Sequence, residues 1–481
     1  MPNETALRDS FFEHYGQRLR SGDAAVFVGA GFSVGAGYVD WRELLRDIAE
    51  EIDLDVDQES DLVAVAQYHM NTFRNRSALN RRIIEAFTSR SALSENHRLL
   101  ARLPLRTIWT TNYDALIETA YSQAGKMCQP IASVDAISAP WPRRDVALYK
   151  MHGSVDAPAQ AVITKDDYET YRATREEFIT VLTSHLLTKT FLFLGFSFTD
   201  PNLDYLLAWV RSHRRENPAE HYWITKEVEP KGADSEAHAE YEYATRKQRL
   251  RAEDMNRYGI RTIFVKSYAE IADILQRLTD IFRERTVFVS GSAFEYGDLG
   301  HDRIEHLSRG IAEALVREEF RIVTGFGLGI GGPVILGAIS ALHQNTAVRL
   351  EDRVLLRQFD LQRSGPERVA AHRQHRHELL EQAGFGIFIA GNRDEGGQAV
   401  VADGVLEEFE LAVEHGVYPI PIGATGYAAK MIWAQVVAQP DTYYGDKTDR
   451  LVGDLKLLGD PSSTNEVLIA AVMRIIKTIA S

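Results

Sequence analysis

The chain has 481 residues, too many for one compact domain and enough for about two or three cores of ~150 residues. A composition of 45% hydrophobic, 10% aromatic and 25% charged residues gives sizeable cores and excludes disordered or collagen-like chains. Lys+Arg 54 against Asp+Glu 68 leave a net charge of -14, which repels polyphosphate and anionic membranes, and the single cysteine, Cys128, makes neither an internal disulfide nor a four-thiolate zinc site.

No nucleic-acid partner is therefore expected. Residues 1–20 mix acids and bases without the apolar stretch of a secretory signal, and no apolar run approaches the ~18 residues of a membrane span. The expectation is a soluble protein of the reducing cytoplasm, with no membrane association and no metal.

In chain order, Leu7, Phe11, Tyr15 and Leu19 recur every four residues and predict a helix ending near Ser21-Gly22. A buried strand over 24–28 follows, then the glycine-rich loop Gly29-Ala30-Gly31-Phe32-Ser33, and Asp40 with Glu43 predicts a capping box for a helix from Trp41. Short apolar strands are predicted at 107–111, 146–151, 190–194, 221–225 and 260–265, with helical patterns between most of them. The charge-rich segment 226–257 reads as a solvated helical insertion. A helix over 269–282 leads to a domain boundary near Arg283. Beyond it, strands at 286–290, 321–324, 353–357, 386–389 and 418–422 again alternate with helices. The predicted architecture is α/β, two doubly wound Rossmann-like domains over 1–283 and 284–481, with polar groups gathered at the C-terminal strand ends.

Four motifs of the first domain fall at such ends. Gly29, Ala30, Gly31 and Ser33 follow a strand where backbone N–H groups can approach a pyrophosphate, although the same turn would also serve simply to pack a helix. Asn112 and Asp114 leave the next strand; an amide and a carboxylate so placed can hold ribose hydroxyls or a water, and Asp114 alone also fits a helix cap. His152, beside Gly153, ends a third strand and has a side chain suited to general-base work near neutral pH. Gly195, Ser197, Asp200 and Asn202 offer a hydroxyl and a proline-started helix N-terminus as a seat for an adenosine ribose, or a capped strand-to-helix turn.

This ordered set resembles the NAD-binding core of the sirtuin family. The resemblance implies NAD+ as substrate, with His152 acting on the ribose or on a water, and Asn112 positioning ribose and water as a catalytic pair with it. Protein-deacylating sirtuins carry four zinc cysteines after the His-Gly pair, and residues 154–189 contain none. Water is then the expected acceptor, giving ADP-ribose and nicotinamide. A non-enzymatic NAD or ADP-ribose sensor and a deacylase are the alternatives.

The second half repeats the glycine theme in Ser290-Gly291-Ser292 and in 324–332, which includes Gly327 and Gly329. Arg353, Arg357, Arg363, Arg368, Arg373, Arg376 and Arg393 gather nearby, a cluster able to meet a diphosphate or to form a solvated helix face. This half resembles the SLOG family, whose nucleotide-cleaving members carry a Pro-Gly-Gly-x-Gly-Thr-x-x-Glu loop. Residues 403–409 retain little of it, which points to binding without catalysis.

Over nearly the whole length the pattern is similar to the NAD-hydrolysing effector family of Thoeris antiphage defence. That resemblance implies a TIR-domain partner that makes a cyclic ADP-ribose isomer, a SLOG domain that binds this activator, NAD depletion as the outcome, and a homotetramer. It also implies an effector pocket of Ser290, Gly291, Gly327, Gly329, Arg376, Arg393 and Glu408, the last three by matching charged positions of the family.

Overall fold

The computed structural model describes residues 4–38, 41–88, 92–198, 203, 207–208, 210–212, 220–230, 235–343, 349–357 and 365–480. Asp40, Asp200, Asn202 and Arg363 lie outside the described residues, as does the side chain of Arg368. The chain divides into two compact units, Met1–Thr279 and Asp280–Ser481, and the division falls within the helix Glu270–Arg283.

The first unit is built on β1 (Ala24–Val28), β2 (Thr107–Thr110), β3 (Cys128–Ile131), β4 (Val146–Lys150), β5 (Thr190–Leu194), β6 (His221–Lys226) and β7 (Ile260–Val265), paired in parallel in the order β3-β4-β2-β1-β5-β6-β7. Central parallel strands are covered on both faces and so read as unbroken apolar runs. The period-two alternation sends Val26, Val28, Ile108, Leu148 and Leu192 into one core, with Phe11, Tyr15 and Leu19 of the helix Glu4–Ser21. Ala25, Phe27, Trp109, Tyr149 and Phe193 enter the opposite core with Tyr171, Phe178 and Leu186. A third cluster joins Leu44, Ile48, Val65, Leu79 and Ile83 to Tyr113 and Ile163.

β3 escapes the sequence pattern because it contains Pro130, which lacks a ladder donor; the strand can carry it because it lies at the sheet edge. The expected solvated insertion also needs correction. Its helix, Ser235–Met255, buries Ala252 and Met255, and Gln248 ties it down by donating to Lys226 O at 2.7 Å and accepting from Val228 N at 3.3 Å.

The second unit has β8 (Thr286–Ser292), β9 (Arg321–Thr324), β10 (Val354–Leu356), β11 (Phe385–Ala390), β12 (Asn392–Glu395), β13 (Gln398–Val401) and β14 (Tyr418–Pro421). Five of them form a parallel sheet in the order β10-β9-β8-β11-β14, and β12 pairs antiparallel with β13. That hairpin was not expected, because its strands are mostly polar. Its signal was Gly396-Gly397, a two-residue turn with φ of 65° and 87° at both positions. Both units are doubly wound α/β folds. Among the described residues no helix is long and apolar enough to cross a membrane, and no group of three or more His, Cys, Asp or Glu side chains is placed to hold a metal.

One buried and one half-buried histidine of the first unit, His97 and His185, make its stability depend on pH. Burial drives the imidazoles of His97 and His185 down to about 4; in His97 the neighbouring Asp114 pulls the other way. His185 Nδ1 accepts from Trp109 Nε1 at 3.1 Å, which requires a neutral ring. Both groups are depressed, so their contribution is fully present above about 6.5 and is lost as pH falls towards about 4, where unfolded histidines take protons that folded ones refuse. Urea unfolding midpoints should therefore drop between about pH 7 and pH 5, and less steeply in His97→Gln. An identical slope in the variant would remove His97 from this account.

Candidate active site

A doubly wound sheet opens a crevice where neighbouring strands send their connections to opposite sides. In the first unit that point lies between β1 and β5. Gly29 N donates to Leu194 O at 2.9 Å and Gly31 N to Gly195 O at 3.0 Å, so the two loops meet backbone to backbone. A Cβ on Gly195 would stand 2.2 Å from Phe32 N, and the residue has φ +61°; a Cβ on Gly29 would stand 2.5 Å from Gly195 O. The contact demands glycine before any ligand is considered. Over it lies a cavity of about 1070 Å³, whose wall includes Gly29, Ala30, Gly31, Thr111, His152, Gly195 and Ser197.

Ser33, Asn112 and Asp114 are brought together but do not line that wall. Asn112 Nδ2 donates to Gly29 O at 3.2 Å and to Ser33 Oγ at 3.0 Å, and Ser33 Oγ donates to Asp114 Oδ2 at 2.9 Å. Asp114 Oδ1 meanwhile accepts from Leu116 N, the first amide of the helix Leu116–Gln123, at 3.0 Å, so Asp114 holds both the helix start and Ser33. A carboxylate only accepts, so the Ser33 proton points to Asp114 and its lone pairs face the amide. This fixes the orientation of Asn112. Its Oδ1 is buried with no hydrogen-bond partner among the described residues. An orphaned acceptor costs about 1–3 kcal/mol, which a ribose hydroxyl or a water would relieve.

His152 is 1% exposed yet reaches the cavity from the end of β4. Its backbone is held by Val162 N donating to His152 O at 2.9 Å, and the preceding carbonyl, Met151 O, accepts from Tyr171 OH at 3.0 Å and Arg175 Nη1 at 3.3 Å. The ring meets Tyr168 edge to face at 5.4 Å and Tyr171 at 6.4 Å. Two residues earlier, Lys150 is fully buried and donates to Tyr113 O at 3.3 Å, Asp114 O at 2.5 Å and Glu118 Oε1 at 2.8 Å. Sequence reasoning gave Lys150 no role; a lysine closing the apolar strand Val-Ala-Leu-Tyr-Lys was the available signal.

Charge distinguishes the cavity from the rest of the surface. Among the described residues that line it, Arg42, Lys165, Lys247 and Arg251 stand against Asp61 and Glu169, in a chain of net charge -14. Such a wall focuses potential for an anionic ligand.

In the second unit the reversal lies between β8 and β11. Gly327 passes so close to β8 that a Cβ would stand 1.9 Å from Gly291 O, and one on Gly329 would stand 2.5 Å from Ala293 O. Here too, the expected ligand glycines already serve loop-to-loop contact. Ser290 Oγ donates to Glu408 Oε2 at 2.6 Å; Arg376 meets Glu408 Oε1 at 3.4 Å and Glu407 Oε2 at 2.7 Å. Burial pushes the Glu408 carboxyl up, against the pull of Ser290 and Arg376. Arg393 reaches Asp403 Oδ2 at 3.3 Å, while Arg376 lies against Gly404, so both guanidinium groups gather at the first turn of the helix Asp403–Glu414.

Asn392 is a residue the sequence did not single out. Its Oδ1 accepts from Phe294 N and Glu295 N, both at 2.9 Å, and clamps the loop after β8. Phe294, Phe326 and Leu328 are exposed on the loops after β8 and β9, and Phe326 is held at φ 59°, a strained position of the kind found at ligand sites.

Two family models match the chain: the Sir2- and TIR-associating SLOG family over residues 270–479 and the SIR2-like domain over residues 106–252. NAD(+) hydrolase ThsA of Bacillus cereus (strain MSX-D12) is 40% identical over 98% of this chain and 98% of its own length. The proteins of the same name from Acinetobacter baumannii (strain 532279) and Enterococcus faecium are each 38% identical, over 96% and 90% of this chain and 97% and 91% of theirs.

Proposed function

The chain belongs to the ThsA family of NAD(+) hydrolases, and from that premise we propose that its first unit cleaves NAD+ under the control of a nucleotide bound by its second. The enzyme is an NAD+ glycohydrolase and NAD+ is its substrate. The observation that carries the reading is the cavity walled by Gly29, Gly31, His152 and Ser197, with Gly29 O accepting from the amide of Asn112, in a chain alike to NAD(+) hydrolases over nearly its full length.

The bond that breaks joins the nicotinamide nitrogen to the ribose. The cationic ring takes the bonding pair and leaves neutral, so no acid is needed. The ribose carbon becomes oxocarbenium-like and is captured by water, whose proton is lost; the products are ADP-ribose and nicotinamide. His152 is the base for the water or for a ribose hydroxyl. Asn112 Oδ1, oriented through Ser33 and Asp114, accepts from the hydroxyl or water and places it. The basic cavity wall meets the diphosphate.

The second unit senses a cyclic ADP-ribose isomer made by a TIR-domain partner, binding it through Ser290, Gly291, Gly327, Gly329, Arg376, Arg393 and Glu408. Arg376, half-buried against two carboxylates, is a guanidinium that a diphosphate can recruit bidentately. The ligand activates by binding the active state better than the resting one. Assembly as a homotetramer in the cytoplasm, as part of antiphage defence, completes the reading.

NAD+ consumption by the purified chain, with and without a cyclic ADP-ribose isomer, tests both halves at once. Ligand-dependent loss of NAD+ is expected, together with roughly tenfold or greater weakening of activation in Arg376→Ala, the loss of about one charge-assisted contact. No NAD+ loss despite demonstrated ligand binding would leave a binding-only sensor. Full effector affinity in Arg376→Ala would remove that residue from the pocket.

A further inference from the structure

One short stretch of chain, residues 161–171, holds His152 from two directions. Its carbonyl accepts from Val162 N at 2.9 Å, and its ring lies against Tyr168 and Tyr171, with centroids 5.4 Å and 6.4 Å away and planes crossing at 78° and 73°. The two tyrosines stand at i and i+3 on the helix Lys165–Thr174, which puts both on one face. Their surroundings differ. Tyr171 is fully buried and its hydroxyl donates to Met151 O, so it belongs to the core beneath the end of β4. Tyr168 is half-buried and lines the cavity, so it meets both the imidazole and the space that the dinucleotide fills.

The helix that carries Tyr168 is fixed at its start. Thr164 Oγ1 accepts from Asp167 N at 3.3 Å and Asp167 Oδ2 accepts from Thr164 N at 2.9 Å, a reciprocal capping box. The same carboxylate accepts from Ile163 N at 3.0 Å and from Arg76 Nη1 at 3.1 Å and 2.9 Å on its two oxygens, while Arg76 Nη2 donates to Ala161 O. Arg76 lies between the helices Leu62–Phe73 and Ser77–Thr88, so the residue before Tyr168 is tied to its own helix start and to a separate helical layer. Support of this kind behind a cavity-facing ring keeps its neighbour within the narrow tolerance that proton transfer needs.

We infer that Tyr168 is a positioning residue for the base: its ring, and not its hydroxyl, holds the imidazole of His152 in the orientation that takes the proton from water or from a ribose hydroxyl. This rests on the reading of His152 as the base given above. The outer torsion of a histidine is soft, so an imidazole at a strand end turns readily and carries its nitrogens away from the proton they must accept. An aromatic ring set nearly perpendicular to it opposes that turn. The effect belongs to the rate rather than to substrate affinity.

A double-mutant cycle on the full chain tests this, read by single-turnover nicotinamide release and by calorimetric NAD+ binding. Tyr168→Leu should slow release by roughly tenfold with less than about a threefold change in NAD+ affinity, and Tyr168→Phe, which keeps the ring, should restore nearly the full rate. In the His152→Ala background Tyr168→Leu should slow release no further, because the group it positions is gone, whereas a general distortion of the site would slow that chain as well. Tyr168→Met, which also lacks the ring, repeats the comparison if leucine lowers the unfolding temperature. Equal slowing in both backgrounds, or an unchanged rate in Tyr168→Leu and Tyr168→Met, overturns the inference and leaves His152 as the base. A Tyr168→Phe chain as slow as Tyr168→Leu overturns it by moving the role to the hydroxyl. Full activity in His152→Ala overturns the base reading and the inference together.

Discussion

His152→Ala is expected to slow nicotinamide release by about 10²–10⁴-fold, the usual worth of a positioned base, while leaving NAD+ affinity nearly unchanged. The separation follows from where the ring sits. His152 is buried on the edges of Tyr168 and Tyr171, and only its rim reaches the cavity, so little binding surface is lost with it. The backbone on either side is held by bonds that do not involve the imidazole, from Tyr171 OH and Val162 N, so the β4 end should keep its shape. Single-turnover rates and calorimetric NAD+ binding on the same preparation would separate the two effects. Unchanged turnover would remove His152 from the chemistry. A loss confined to affinity would make it a ribose contact and leave the base to be found elsewhere.

The sheets were legible because both bury their central strands on both faces, and runs such as Ala-Ala-Val-Phe-Val and Thr-Phe-Leu-Phe-Leu announce that without ambiguity. Edge elements announce less. β3 needs only one covered side, which let Pro130 into it, and the β12–β13 hairpin opens on the polar strand Asn-Arg-Asp-Glu, with its paired glycines as the mark. The site was legible as a set of residues but not as a division of labour. Spacing put Ser33, Asn112 and Asp114 at one rim, yet it could not tell that Ser33 and Asp114 face Asn112 rather than the cavity, because that depends on which way each side chain turns from the loop. The place of helix 235–255 in the cavity wall was missed for a related reason. Its cavity-facing positions are polar, like the rest of its surface, so an apolar-periodicity test has nothing to find.

Lys150→Met should be the most damaging change to stability in the first unit, costing about 3–5 kcal/mol, because it strips one partner from a buried ion pair. The ammonium is fully buried and each of its three donors is used, two on the carbonyls of Tyr113 and Asp114 and one on Glu118. Without it both carbonyls lose a donor and the Glu118 carboxylate, whose second oxygen is already buried without a hydrogen-bond partner among the described residues, keeps a charge with no counterion. A second change distinguishes the missing cation from the missing volume. Methionine fills much of the lysine's space, so if the uncompensated carboxylate causes the loss, Lys150→Met with Glu118→Leu should recover most of it; a packing fault would persist. Function should not recover in step. Lys150 stands two residues before His152 and grips the loop that carries Asn112, so the double variant regains a stable fold while that loop still lacks its clamp. Turnover should then remain depressed at a near-normal unfolding temperature. A coupling energy below about 1 kcal/mol in the double-mutant cycle would reduce the pair to the rank of a surface ion pair and end the argument.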